Sequence, residues 1–467
     1  MILFYGGRTG NTTMYYKVKE GEQIKYFDVC SLYPYICKYG KFPVDHPTII
    51  IGHEDCAKEN LTKINGLIKC SMLAPTDLFH PVLPIKQNHK LMFSLCYTCS
   101  EIMNQGDCTH TIEQRTITST WVIDEVVKAV KMGYRVLEIY EIWKYEVEQY
   151  NRETKSDGLF NKMMNKFIKM KQEASGWPST CSTIDEKNKY IDYFFHNEGV
   201  QMDYNCISKN SGLRSVAKLM LNSFWGKFGQ KENQSKTEIV KNPVEMYNLL
   251  SSPSVEVHNI LPINENTNII TWQYLEEINL NNSSTNVCIA AFTTALARLK
   301  LYSYLEGLGD RVLYYDTDSI IFISKKDLYD QPTGNLIGDL TDELEESYGV
   351  GSYITEFVSG GPKNYAFKVN STSNPASTDN IVCKVKGIRL DYKASKLINL
   401  ESMRDLILND EEKATIELIS NNIRRTPHHD IITSTENKKY RINSTKRKFT
   451  EDFSSLPYGF KKKKIKT

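Results

Sequence analysis

The stretch Arg311-Val-Leu-Tyr-Tyr-Asp-Thr-Asp-Ser-Ile-Ile-Phe-Ile323 constrains the fold more than any other. Residues 312–315 and 320–323 are apolar or aromatic throughout, which suits strands covered on both faces. Between them lies Asp316-Thr317-Asp318, so the segment reads as a hairpin with acids at its tip. Side chains at i and i+2 leave a strand on the same side, so Asp316 and Asp318 can approach one another. Two carboxylates at the end of a buried hairpin repel unless a cation lies beside them. An Asp-rich turn held by its own backbone hydrogen bonds is the plainer alternative. A third carboxylate would decide between them.

That carboxylate is Asp28. A strand over Gln23–Val29 ends in Asp28-Val-Cys-Ser-Leu-Tyr-Pro34, and Pro34 fits the start of a short helix over Tyr35–Tyr39. Upstream, Phe4-Tyr-Gly-Gly-Arg-Thr-Gly10 is a glycine-rich turn where backbone can approach a phosphate closely. Residues 60–145 mix short strands with Cys96-Tyr-Thr-Cys99 and Cys108-Thr-His110. C-x2-C-x8-C-x-H offers four ligands for tetrahedral zinc; reduced structural cysteines are the alternative.

Helical periodicity places helices over 121–133, closed by Gly133, and over 158–174, where Lys162, Lys166, Lys169 and Lys171 lie near one face. That face either runs along a nucleic acid or is simply solvated. Gly212–Gly229 carries the strongest helical pattern, with Leu213, Val216, Met220, Leu221 and Phe224 as the expected buried stripe. Arg214, Lys218, Asn222 and Trp225 line another side. Two cations, an amide and an indole in one row would serve a nucleoside triphosphate. A helix over 288–306, ended by Gly307, has Thr294 and Arg298 on its polar side, suited to a phosphodiester backbone or exposed without a role. Gly360-Gly-Pro-Lys-Asn-Tyr365 and Cys383-Lys-Val-Lys-Gly387 set lysines beside glycines, and 394–467 is expected to be helical and increasingly basic.

Composition adds limits. The 467 residues are 40% hydrophobic and 24% charged, an ordinary globular balance with room for two to four subdomains. No run approaches the ~18 apolar residues of a membrane span, so no membrane partner is expected. The eleven cysteines are scattered and odd in number, which does not suit a disulfide framework. The N-terminus also lacks the basic-then-apolar pattern of a secretory signal, so a reducing intracellular compartment is expected rather than secretion. The net charge of +2 hides a gradient: from Lys438 onward eleven Lys or Arg face only Glu451 and Asp452, ending in Lys461-Lys-Lys-Lys-Ile-Lys466. Such a tail is solvated, contacts phosphate or acts as a nuclear-localisation signal. The Asn/Ser-rich stretches 278–286 and 370–380 read as loops.

Asp28 at a strand end, Asp316 and Asp318 on a hairpin tip and a cationic helix together suit phosphoryl transfer with two divalent ions about 3.5–4 Å apart. Carboxylates are the hard ligands such ions need. These residues also resemble a known family. Asp28-Val-Cys-Ser-Leu-Tyr-Pro34 is similar to motif A of family B DNA polymerases, Lys218-Leu-Met-Leu-Asn-Ser-Phe-Trp-Gly226 to motif B, and Tyr314-Tyr-Asp-Thr-Asp-Ser319 to motif C. Phe4-Tyr-Gly-Gly7, the block ending Ala297-Arg298 and Lys363-Asn-Tyr365 resemble elements of the protein-primed branch. The cysteine cluster, Lys171–Pro178 and Gly212-Leu-Arg214 carry a closer likeness to polymerases of polinton-like elements and related viruses.

The resemblance implies an α+β right-hand polymerase with palm, fingers and thumb and an insertion between motifs A and B. It divides the chain into palm (1–40), an insertion for a terminal protein with the cysteine cluster (41–157), fingers (158–230), a second insertion (231–287), palm (288–393), and thumb with basic tail (394–467). Asp28 and Asp318 would hold Mg²⁺, with Mn²⁺ able to substitute; the Val29 carbonyl would complete the site and Asp316 would support it. Ser31, Leu32, Tyr33, Arg214, Lys218, Asn222 and Trp225 would bind the deoxynucleotide, Tyr33 excluding a 2′-hydroxyl. Gly6, Gly7, Gly226, Thr294, Arg298, Lys363, Tyr365, Lys384 and Lys386 would contact template-primer DNA, and a terminal protein would be a further partner.

Two departures stand out. Trp225 replaces the usual Tyr of motif B, and the 3′–5′ exonuclease motifs of such enzymes are absent upstream, so no proofreading by this chain and a truncated product or partial gene are expected. The expected function is DNA-directed DNA polymerase. The competing readings are a catalytically dead DNA-binding remnant or truncated gene product of a mobile element or virus, and an RNA-synthesising or reverse-transcribing palm enzyme.

Overall fold

The computed structural model describes residues 4–178, 180–231, 233–275, 285–373, 380–409, 415–425, 431–442 and 445–462. Much of the loops expected at 278–286 and 370–380, and Lys463–Lys466 of the basic tail, lie outside them. The chain divides into two compact units, one of residues 1–226, 287–414 and 442–467, the other of 227–286 and 415–441.

A nine-stranded antiparallel sheet is the centre of the first unit. Its main path runs Thr9–Asn11, Val312–Asp316, Ser319–Lys325, Glu22–Val29, Tyr353–Gly361, Asn364–Asn370, Ile381–Val385. Tyr15–Lys17 pairs with Tyr353–Gly361, and Leu340–Asp342 with Glu22–Val29. The hairpin expected from the apolar runs is present, and Val312–Tyr315 and Ser319–Ile323 are buried without alternation. Ile24, Leu313, Ile321, Ile354, Phe357 and Phe367 pack beneath it. Because strand side chains repeat every two residues, a one-residue slip would move this whole set to the wrong face. The register is therefore fixed, and it sets Asp28 opposite Ser319.

A 22-residue helix, Val287–Leu308, packs on the helices Leu32–Tyr39 and Ile123–Lys131 and on the strand Lys41–Ile51, and it continues through Gly307 rather than stopping there. It is apolar nearly all round and therefore buried. Thr294 and Arg298, expected on an exposed side facing DNA, are 0% and 4% exposed. Thr294 donates back to the carbonyls of Ala290 and Ala291. Arg298 forks onto Glu125 at 2.9 and 3.0 Å, and its Nη1 donates to the Tyr5 and Gly6 carbonyls at 2.8 and 2.9 Å. The pattern looked amphipathic because a buried guanidinium is indistinguishable in sequence from an exposed one until its carboxylate partner, 173 residues away, is known.

The segment after the Asp28 strand forms a helix over Leu32–Tyr39 with Pro34 in its first turn, where no amide partner is lost. Its buried Lys38 meets Glu198 at 3.2 Å, and Glu198 also accepts from Tyr39 Oη at 2.8 Å and the Ile337 amide at 2.9 Å. Lys41–Ile51, Arg135–Gln149, Asn65–Leu73 and Ile117–Val122 form, in that order, a separate four-stranded sheet. Trp121 and Val122 end a strand rather than open a helix; the helix is Ile123–Lys131. The buried Trp121 indole donates to the Pro84 carbonyl, which fixes it in this core.

In the second unit, Lys236–Val240, Thr267–Tyr274 and Val255–Asn264 make a sheet around Val240, Ile270 and Trp272. Ile416–Arg425 and Ile431–Tyr440 pair as a hairpin, where helix was expected; its many β-branched residues and alternating burial suit a strand. Helices C-terminal to residue 390 are confined, among the described residues, to Tyr392–Leu397 and Leu400–Leu408. No helix among the described residues is long and apolar enough to cross a membrane.

Arg298→Ala strips a buried carboxylate of its partner and should destabilise the chain by about 3–5 kcal/mol. The double substitution Arg298→Met with Glu125→Gln should cost clearly less. Denaturant melts of the two variants against the parent check this.

Candidate active site

The aspartate hairpin closes through Thr317 and Asp318, with Asp316 paired to Ser319. Thr317 has φ +59°, a left-handed conformation that a β-branched residue adopts only when its surroundings hold it. Its amide donates to the Arg8 carbonyl at 2.8 Å and its hydroxyl to Asp316 Oδ1 at 3.1 Å. Gly7 lies against it so closely that a Cβ there would fall 2.7 Å from Thr317 Oγ1. The glycine-rich turn thus makes a close approach, but its nearest neighbour at Gly7 is the aspartate turn itself.

Asp28 and Asp318 come together across this register, with the Val29 amide donating to the Asp318 carbonyl at 2.7 Å. Burial, then the Asp318 charge, then Glu343 push the Asp28 carboxyl up to about 8, while Lys218 and Lys384 pull it down. Burial and Asp316 push Asp318 up to about 6. Asp316 is compensated within the protein: Tyr314 Oη donates to it at 3.4 Å and Lys363 Nζ lies 3.6 Å away. A half-buried carboxylate pair whose charges oppose one another is suited to a hard divalent cation with oxygen ligands. The donor set fits magnesium or manganese, with the Val29 carbonyl adjacent in sequence. Sequence reasoning missed Glu343, whose only trace was the acidic run Asp342-Glu-Leu-Glu-Glu346.

Facing the acids is a group of cations. Lys171, on the helix Asn161–Glu173, donates to Ser31 Oγ at 3.2 Å; Ser31 itself sits at φ +54°. Burial lowers the Lys171 pKa; Cys30 opposes this, and the Arg214 and Lys218 charges lower it further. Arg214 donates to Ser175 Oγ at 3.1 Å. Lys171 was legible as one lysine of a basic face, not as the one that turns inward. Arg214, Lys218 and Asn222 are exposed along the helix Ser211–Ser223, which gives way to a 3-10 turn, Phe224–Gly229. The expected buried stripe is corrected here. Only Ala217 and Leu221 are buried on this helix, while Leu213, Val216 and Met220 are 42%, 54% and 40% exposed. The helix packs on Asn161–Glu173 along one narrow line, so the helical period was right and the width of the buried face was not.

The Tyr33 and Trp225 rings stack, with centroids 4.4 Å apart and planes 22° from parallel. Burial, then the nearby Asp318 charge, pushes the Tyr33 hydroxyl up to about 12. Leu32 is core, with its side chain buried, so it can offer a ligand only its backbone. Tyr365, expected to touch primer, is also buried, its ring packed on Tyr314 and Phe367. Lys384 extends over the Tyr26 and Tyr365 rings, and the Lys386 amide donates to the Lys363 carbonyl at 2.9 Å. Gly226 is open, with no heavy atom near a Cβ built on it. The ligand atoms of Cys96, Cys99, Cys108 and His110 all lie within 4.8 Å of one another.

Gly7→Ala should cost about 1–3 kcal/mol by overpacking the aspartate turn. Gly6→Ala, which meets open space, should stay within about 0.5 kcal/mol of the parent. Chemical denaturation of both variants separates the two outcomes.

A family model described as DNA polymerase type B, organellar and viral, matches residues 3–183 and 187–307. The probable DNA polymerase of Neurospora intermedia is 24% identical over 359 residues, covering 74% of this chain and 29% of the relative. That of Ascobolus immersus is 22% identical over 460 residues, covering 96% of this chain and 30% of the relative. The chain thus spans less than a third of the length of these curated relatives. Phi29 DNA polymerase complexed with single-stranded DNA superposes with a TM-score of 0.56 at 16% identity, over 94% of this chain and 61% of that one. Its ternary complex with primer-template DNA and incoming nucleotide gives 0.53 at 15% identity, with the same coverage. At these identities the likeness is one of fold, the α+β right-hand polymerase fold expected from the motifs. With the family model matching more than half of its residues, the chain belongs to the organellar and viral type B DNA polymerases.

Proposed function

We propose that this chain extends a primer on a DNA template, adding deoxynucleotides to the 3′-hydroxyl and releasing pyrophosphate. The observation that carries this is the register that pairs Asp28 with Ser319, next to Asp318, with the Lys218 charge acting on Asp28. When bound by Asp28, Asp318 and the Val29 carbonyl, two Mg²⁺ or Mn²⁺ ions would supply charge neutralisation and acidify the primer hydroxyl. The chain's own residues do the positioning, which must provide most of the acceleration in phosphoryl transfer.

Lys171, Arg214 and Lys218 meet the triphosphate. As the bond from the 3′-oxygen to the α-phosphorus forms and the bond to the bridging oxygen breaks, their charge offsets what builds on pyrophosphate. Ser31 and the Leu32 backbone form the turn beneath those phosphates. Tyr33 lies under the sugar and leaves no space for a 2′-hydroxyl. Trp225, Asn222 and Gly226 meet the nascent base pair, the indole supplying a stacking face without the hydroxyl of a tyrosine. Lys363, Lys384 and Lys386 bind primer phosphates, with Gly6 and Gly7 beside the template. Support for DNA and nucleotide as partners comes from the phi29 complexes with both. Initiation from the hydroxyl of a terminal protein, seated on the insertion 41–157, belongs to the same proposal.

Purified chain with Mg²⁺ should extend a primed template with deoxynucleotides, and chelation should stop it. Asp318→Asn should lower the rate by about 10³-fold or more while DNA binding persists. Tyr33→Ala should admit ribonucleotides. Undiminished extension by Asp318→Asn would overturn the assignment, and adding a candidate terminal protein without primer tests initiation.

A further inference from the structure

We propose that Cys96, Cys99, Cys108 and His110 bind one zinc ion, and that this zinc fastens the C-terminal segment 445–461 against the strand flanking the aspartate hairpin. The first half rests on convergence. Sγ of Cys99, Cys96 and Cys108 lie 3.2, 3.4 and 3.7 Å from the same atom, Nδ1 of His110. An imidazole nitrogen has one lone pair and cannot accept from three thiols, so hydrogen bonding does not account for the arrangement. A tetrahedral centre does. Zn–S of about 2.3 Å and Zn–N of about 2.0 Å require S···N edges of about 3.5 Å.

The surroundings fit thiolate ligands. The Cys99 amide donates to Cys96 Sγ at 3.4 Å and Asn104 Nδ2 to Cys99 Sγ at 3.6 Å, two donors directed at sulfur. The three cysteines are buried, and the one-turn helix Tyr97–Glu101 sets Cys96 and Cys99 a turn apart. His110 precedes Thr111, whose capping box starts the next helix and fixes the imidazole's place in the chain. Three soft sulfurs and one nitrogen favour zinc over the hard cations suited to Asp28 and Asp318.

The second half follows from what this loop touches. Gly459, at φ +90°, crosses so near Cys96 that a Cβ would fall 2.5 Å from the Cys96 Cβ. The Leu95 amide donates to the Tyr458 carbonyl at 2.8 Å, and Gln105 accepts from the Phe449 amide at 3.1 Å. Lys448 reaches Asp107 at 3.3 Å. The same segment then runs to the sheet: the Ser455 amide donates to the Thr12 carbonyl at 2.6 Å, and Lys446 to the Thr9 carbonyl at 3.2 Å. Thr9 pairs with Asp316. A continuous set of contacts therefore joins the cysteine loop to the hairpin that bears the acids.

Elemental analysis of the full chain, prepared in zinc-replete buffer, should find about one zinc per molecule. Cobalt-loaded chain should show thiolate-to-cobalt charge transfer and the bands of a tetrahedral site. Cys99→Ser and Cys108→Ser should lower zinc content about tenfold or more, whereas His110→Cys and the exposed-site control Cys206→Ser should keep it. Hydrogen exchange at residues 445–461 should accelerate when zinc is stripped from the parent. Absence of zinc with no cobalt band, or zinc retained by both serine variants, overturns the site. Zinc bound but exchange at 445–461 unchanged on its removal overturns the fastening role.

Discussion

The pairing of the Glu22–Val29 strand with Ser319–Lys325 is the contact on which the rest of the first unit depends. Hydrophobic burial drives it, since Ile24, Ile321 and Phe357 fit only one register. The same register forces two carboxylates together that would separate if free to do so. The sheet thus stores an electrostatic opposition in a place where strand movement would expose the core. Apolar packing supplies the stability, and the acids draw on it.

Charge elsewhere is managed by a different rule. Asp316 is answered inside the protein by Tyr314, Thr317 and Lys363, and Glu125 by the fork of Arg298. Glu198 is answered by Lys38, Tyr39 and a backbone amide. Against these closed groups, the charge of Asp28 is opposed by burial and by Asp318, that of Asp318 by burial and by Asp316, and the cations that bear on Asp28, Lys218 and Lys384, are both exposed. Closed networks fix the framework, whereas the open one can accept ligand charge.

The hairpin, the Asp28 strand and the row of Arg214, Lys218 and Asn222 were legible because each is local, a period or a spacing within one element, whereas Trp225 falls in the turn beyond that helix. What could not be read depends on distant partners. Nothing near Arg298 in sequence announces Glu125, so a framework residue looked like a DNA contact. Leu213, Val216 and Met220 have helical spacing, yet how much of a helix is covered depends on the width of its neighbour. Lys171 was one of four similar lysines, and only the fold shows which of them reaches Ser31. The hairpin after residue 415 is obscured in the sequence because its charged and polar residues outnumber the β-branched ones that favour a strand.

The stacked Tyr33 and Trp225 rings have an energetic consequence for selectivity. Such a pair contributes about 0.5–1.5 kcal/mol beyond its buried area. A molecule that parts the two rings must return that amount, which a planar heterocycle can do by lying against one of them. Free phosphate or pyrophosphate brings no flat surface and so gains nothing from either ring to offset parting them.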